Sequence, residues 1–170
     1  MRIGVVAECR PAQGPWSRWQ WRPIAAIAGG AELVAGAVLR EEGAVRHVFI
    51  GAGEVELVTA ETAAYKLNLD TGSPSIYVVA TPVDGDPGGL ALRGVTASPW
   101  EAEAFLDGHH VVERVAMPEA AVQLLQDFVA AYHVEDVFMK RQRKRHDPQK
   151  GFGRGSSSND YGPGTFEPTR

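Results

Sequence analysis

Only one cysteine, Cys9, occurs in 170 residues. It has no partner for an internal disulfide, and alone it cannot supply the paired thiolates of a cysteine zinc site. That excludes a disulfide-stapled secreted scaffold and leads us to expect a reducing, cytoplasmic compartment. Long apolar runs are missing too. The opening stretch Met1 to Ala7 stops at Glu8, too short for a signal-peptide core, and no other run approaches the ~20 apolar residues needed to cross a bilayer. There is no HExxH motif and no glycine-rich loop leading into a helix. Gly51-Ala52-Gly53 opens no helix, and Gly151-Phe152-Gly153-Arg154-Gly155 lies in a biased C-terminal stretch. A phosphate-cradling loop needs a helix N-terminus behind it. No cofactor and no metal are therefore expected, and no internal repeat is visible.

What remains has the make-up of a globular chain, 44% hydrophobic and 22% charged, of a length that suits one domain with a substantial core. The net charge of −4 conceals a division. Residues 1–139 carry 9 Lys/Arg against 18 Asp/Glu, a balance of −9, whereas residues 140–170 carry 8 against 3, a balance of +5. We read residues 1–139 as one domain, 140–146 as a basic arm and 147–170 as a disordered tail. The tail is rich in Gly, Ser, Pro and Asn, and such a segment buries too little to offset its ordering entropy.

Along the domain, residues 3–9 read as a strand and 22–28 as a second one ending at Gly29-Gly30. Residues 44–59 alternate on either side of Gly51 and Gly53, which predicts a hairpin turning at those glycines. Tyr65 to Leu69 alternates again and reads as a strand, followed by a turn over Asp70 to Pro74. Ile76 to Val79 is a near-continuous apolar run, as in a buried strand. Asp84 to Gly89 is a loop by composition. Ser98-Pro99-Trp100-Glu101 starts a helix, with Ser98 as cap, Pro99 in the first turn and Glu101 completing a capping box; Gly108 ends it. Val111 to Val115 is a strand. Pro118 opens a helix to about Tyr132, whose stripe of Val122, Leu125, Val129 and Tyr132, widened by Leu124 and Phe128, faces the core. Together these predict an α+β domain with a mostly antiparallel sheet of five to seven strands and two helices in the C-terminal half.

Several residue groups bear on chemistry. Asp70-Thr71-Gly72-Ser73 resembles the signature of aspartic proteases, in which two such aspartates share a proton. One chain supplies a single copy, so this alternative demands a dimeric hydrolase using Asp70. The later apolar-apolar-glycine segment it also needs is met only by Leu92-Arg93-Gly94, with a charge in the middle. An ordinary turn explains the same residues. His109 and His110 are adjacent, so on a strand they point to opposite faces, away from a common ion. Cys9 has no activating base nearby and reads as a small buried hydrophobe.

Two features point outward instead. Trp16, Trp19 and Trp21, interleaved with Arg18 and Arg22, place three of the four tryptophans within six residues, the aromatic-arginine composition that dominates interfaces. Lys140-Arg141-Gln142-Arg143-Lys144-Arg145 carries five cations in six residues, directly after Phe138 and Met139. An apolar grip beside long cationic stems suits an acidic protein partner. A nucleic-acid-binding regulator using this arm is the other alternative, although the acidic body would repel phosphates flanking the contact. Trp16, Trp19, Trp21, Arg22, Phe138, Lys140, Arg141, Arg143, Lys144 and Arg145 are accordingly the candidate partner-binding residues.

Four segments taken together carry a resemblance. They are Pro15-Trp16 with Trp21-Arg22-Pro23, Val95 to Ala102, Val115-Ala116-Met117-Pro118, and His133 to Arg145. In these the chain resembles an uncharacterised bacterial family of domains of unknown function, often encoded beside molybdenum-dependent formate dehydrogenases and their maturation factors. Trp100 and Met139 depart mildly from the residues expected there. The resemblance implies a role and no mechanism, since the family offers no catalytic residues to carry over. It implies a non-catalytic accessory protein assisting the maturation or assembly of such a molybdoenzyme.

Overall fold

A computed structural model describes residues 1–14, 18–85 and 88–135. The basic arm and the tail lie outside these residues. The described residues belong to one compact unit, Met1–Glu135. Its elements are β1 (Arg2–Pro11), β2 (Trp19–Ala28), β3 (Val38–Glu42), β4 (Val45–Glu54), α1 (Thr62–Asp70), β5 (Ser75–Val83), β6 (Gly89–Thr96), α2 (Pro99–Glu103), β7 (Val111–Ala116) and α3 (Glu119–Tyr132). The strands form two antiparallel sheets, one ordered β2-β1-β4-β3 and the other β6-β5-β7. The domain is α+β, as the sequence pattern predicts.

The core forms where the sheets face each other. Ile3, Val5 and Ala7 alternate along β1, and Ile76, Val78 and Ala80 along β5, so period-two spacing sends both sets to a shared interior. Tyr65 of α1 with Ala121 and Leu125 of α3 joins the same cluster. The Phe128 ring meets Tyr65 edge-on at 6.2 Å, which docks the two helices on each other. On α3 the predicted stripe holds for Leu125, with Val122, Phe128 and Val129 half-buried. Leu124 and Tyr132 are exposed, and Ala121 takes the inward place instead.

Three local expectations are corrected. The hairpin over residues 44–59 is really β3 with β4, turning at Gly43, and Gly51 and Gly53 remain inside β4 opposite Val5 and Ile3. Those glycines serve close packing: a Cβ on Gly53 would fall 2.9 Å from Val95 Cγ2 of β6. Residues 65–69 are helical. Ala64, Tyr65 and Asn68 face inward while Leu67 is exposed, a helical spacing that five residues of alternation disguise. Among the described residues there are thus three α-helices, one of them in the first half. Last, Ser98 Oγ does accept the Glu101 N–H at 3.2 Å, but the Glu101 carboxylate accepts the Thr96 hydroxyl, and Thr96 Oγ1 accepts the Ser98 N–H at 3.0 Å. The capping box closes through a third side chain.

Asn68 ties these pieces together. Its Nδ2 donates to the carbonyls of Ser75 and Ala97, both at 2.8 Å, and its Oδ1 accepts the Ser75 N–H at 3.0 Å. One buried amide thereby fixes α1 to the start of β5 and the end of β6.

Candidate functional site

β2 is the outer strand of its sheet, and its two faces differ. Trp19 and Trp21 are half-buried and Pro23 is buried, while Gln20, Arg22 and Ile24 between them are exposed. Trp21 lies opposite Cys9 and Trp19 opposite Pro11 across the β1 ladder, so the rings share a face with Cys9. On the far side of β1, Arg46 of β4 is also opposite Cys9. Its guanidinium sits 6.0 Å from the Trp19 ring centre, with Nε held by Glu41 Oε1 at 2.9 Å. Trp21 packs against the main core.

On the outward face, Arg22 Nε lies 3.2 Å from Glu113 Oε1 of β7, bridging the edges of the two sheets. Arg10 donates to Gln20 Oε1 from Nε and Nη2, at 3.2 and 3.1 Å. This end of the domain therefore alternates indole rings with guanidinium groups, each of the three held by a named partner. Arg22 is exposed and Glu113 partly so, and the pair contributes orientation more than stability.

A cleft of about 380 Å³ opens beside the rings, lined chiefly by Trp19, Trp21, Pro82, Asp84, Leu90 and Val111. Its far wall is the tip of the β5–β6 hairpin. Gly88 shapes that tip: its φ is +68°, and a Cβ there would stand 2.7 Å from the Val83 carbonyl oxygen. A second hollow of about 430 Å³, more apolar, lies against Val79, Ala104 and Phe105.

Of the residues singled out in the sequence, Trp19, Trp21 and Arg22 come together at this end of β2. Trp16, Phe138, Lys140, Arg141, Arg143, Lys144 and Arg145 lie outside the described residues. Sequence reasoning missed Arg46 and the β5–β6 hairpin. The hairpin had a signal: Asp84 to Gly89 is a turn-rich stretch between two β-rich runs, and only the first run reads plainly as a strand.

Other candidates stand apart from this end. Asp70 is the last residue of α1, with its carboxylate exposed and 3.1 Å from Lys66 Nζ one turn earlier. The Lys66 ammonium is held above its ordinary pKa by that contact. Cys9 is fully buried, and burial raises its thiol pKa against the opposing pull of Arg46, which keeps it protonated. Asp107 is held down at about 2 by the His109 N–H and the His110 ring. Among the described residues, no three or more His, Cys, Asp or Glu side chains are grouped to hold a metal ion. No described helix is long and apolar enough to cross a membrane.

A family model described as a protein of unknown function, DUF3305, matches residues 2–144. The chain belongs to that family. The match spans every strand and helix of the DUF3305 domain described above, together with the basic run up to Lys144. No curated protein and no solved structure shows significant similarity to the chain.

Proposed function

We propose that this protein is a non-catalytic accessory protein that binds a protein partner through the Trp19–Trp21 end of β2. The observation that carries this reading is that two tryptophans are held only partly buried at the start of an edge strand, beside guanidinium groups fixed by Glu41 and Glu113. Rigid aromatic and arginine anchors lose little entropy on association, which is why they concentrate binding energy at interfaces.

In its more specific form, the partner is a molybdenum-dependent formate dehydrogenase or one of its maturation factors. That form is supported by the resemblance in the four segments quoted above. The basic run from Lys140 to Arg145 supplies a second contact, directed at an acidic surface.

The alternatives draw less support. A dimeric hydrolase would need Asp70 facing a second aspartate, whereas Asp70 pairs with Lys66 on its own helix. A nucleic-acid regulator would bring the acidic body close to phosphate.

The test is affinity capture from the native host with the full chain and with Trp19→Ala and Trp21→Ala variants. Formate dehydrogenase subunits or their maturation factors should be enriched by the native chain and reduced severalfold with either variant. Equal recovery would remove the Trp end from the account, and enrichment of nucleic acid would favour the regulator.

A further inference from the structure

One glycine of the second sheet serves neither backbone conformation nor close packing. Gly94 lies within β6, where a glycine weakens a strand and often marks a place that a ligand or another backbone approaches. Its φ is outside the left-handed region, and a Cβ built on it meets nothing within 4 Å. Gly53, by contrast, is fixed by its contact with Val95. The space beside Gly94 belongs to the hollow of about 430 Å³. Val79, which pairs with Gly94, lines its floor, on the face of the sheet opposite the core residue Val78. Ala104 and Phe105, just beyond α2, line a wall, and Phe105 is 40% exposed.

The strand register brings a cation to the same place. Val79 pairs with Gly94 and Ala80 with Leu92, so Arg93 is the extra residue of a β-bulge. Bulges re-aim side chains and are frequent beside binding sites. Arg93 lines the hollow, and its Nε donates to Thr81 Oγ1 of β5 at 2.9 Å. It makes no ion pair among the described residues. The other charge in the lining, Glu101, already accepts the Thr96 hydroxyl.

We propose that this hollow binds a small apolar carboxylic acid. The apolar body packs over Gly94 against Val79 and Phe105, and the carboxylate accepts from the Arg93 Nη groups that Thr81 leaves unused. A planar guanidinium matches a carboxylate with two parallel hydrogen bonds. An apolar chamber with few polar groups, within the range of about 300–1,000 Å³, is what small-molecule sites share. One unpaired cation beside one apolar floor is the complement of a single head group on a single body. The site belongs to the other sheet from Trp19 and Trp21, so it stands or falls apart from the partner reading.

The experiment titrates the isotopically labelled full chain with phenylpropionate, phenylpropanol and phenylpropylamine, one body with three head groups. At neutral pH the acid should shift the Gly94 amide and the Val79 and Phe105 side-chain signals, and bind about tenfold more tightly than the alcohol. The amine should bind most weakly. Gly94→Val should abolish these shifts and leave the urea midpoint unchanged or raised, because a β-branched side chain suits a strand and enters empty space. Arg93→Gln should weaken the acid about tenfold and leave the alcohol as it was. Trp19→Ala and Trp21→Ala should change none of this. The proposal is overturned by equal binding of acid and amine, by no shift at millimolar acid, by acid binding that survives Gly94→Val, or by a lowered urea midpoint for that variant. A capped glutamate-containing peptide that occupies the hollow more tightly than phenylpropionate would assign it to a protein partner instead.

Discussion

Replacing Asn68 is the severest single test of how the domain is assembled. The side chain is 1% exposed and serves three backbone groups, the Ser75 N–H and the carbonyls of Ser75 and Ala97. Asn68→Ala withdraws one partner from each, and Ser75 and Ala97 are themselves buried, so water does not readily take its place. A buried polar group left unsatisfied costs about 1–3 kcal/mol. Three such losses put the change at about 3–9 kcal/mol, comparable with the whole stability of a typical domain, about 5–15 kcal/mol. In urea, with a slope of about 2 kcal/mol/M, the midpoint should fall by about 1.5–4.5 M. Asn68→Asp tests the directions of the bonds. Its carboxylate keeps the Ser75 N–H but turns two donors into lone pairs facing carbonyl oxygens. Burial and those oxygens would raise its folded pKa above the unfolded value of about 3.9. The folded state then binds more protons, so stability is greatest below about pH 4 and declines as pH rises through the raised pKa. A midpoint shift below about 0.5 M for Asn68→Ala, worth about 1 kcal/mol, would refute the reasoning. So would a pH-independent Asn68→Asp.

Three further outcomes follow from separate parts of the molecule. Gly53→Ala places a methyl 2.9 Å from Val95 Cγ2 and should cost about 1–3 kcal/mol by overpacking, read from a urea melt. The Asp107 carboxyl should titrate at about 2 by NMR; the pKa is depressed, so its contribution to stability is present above about pH 4 and lost as pH falls through 2. Charge reversal of Arg141, Arg143 and Arg145 to Glu should reduce partner capture at physiological salt with the fold intact, and undiminished capture would show that the arm is not a binding element.

The antiparallel α+β class was legible because β1, β5 and β7 carry unambiguous apolar patterns and no helix long enough for a parallel crossover separates the early strands. Helix α2 was legible through chemistry alone, its Ser98 cap and Pro99. What misled was glycine inside β4, which reads as a turn in sequence but marks the close approach to β6. Tyr65 to Leu69 failed for another reason: its inward polar residue, Asn68, breaks the apolar pattern of the helix. The Trp19–Trp21–Arg22 group was visible from composition. The opposing hairpin wall and Arg46 were not, because ladder register and pairing across sheets decide them and neither is local.

The most direct measurement of the central claim is quantitative capture from the native host with the full chain, compared with a Trp19→Ala/Trp21→Ala double variant whose fold is verified by circular dichroism. The account predicts that a formate dehydrogenase subunit or maturation factor is enriched by the native chain and lost with the double variant. Enrichment of the same protein by both, or of neither class of protein by the native chain, would contradict it.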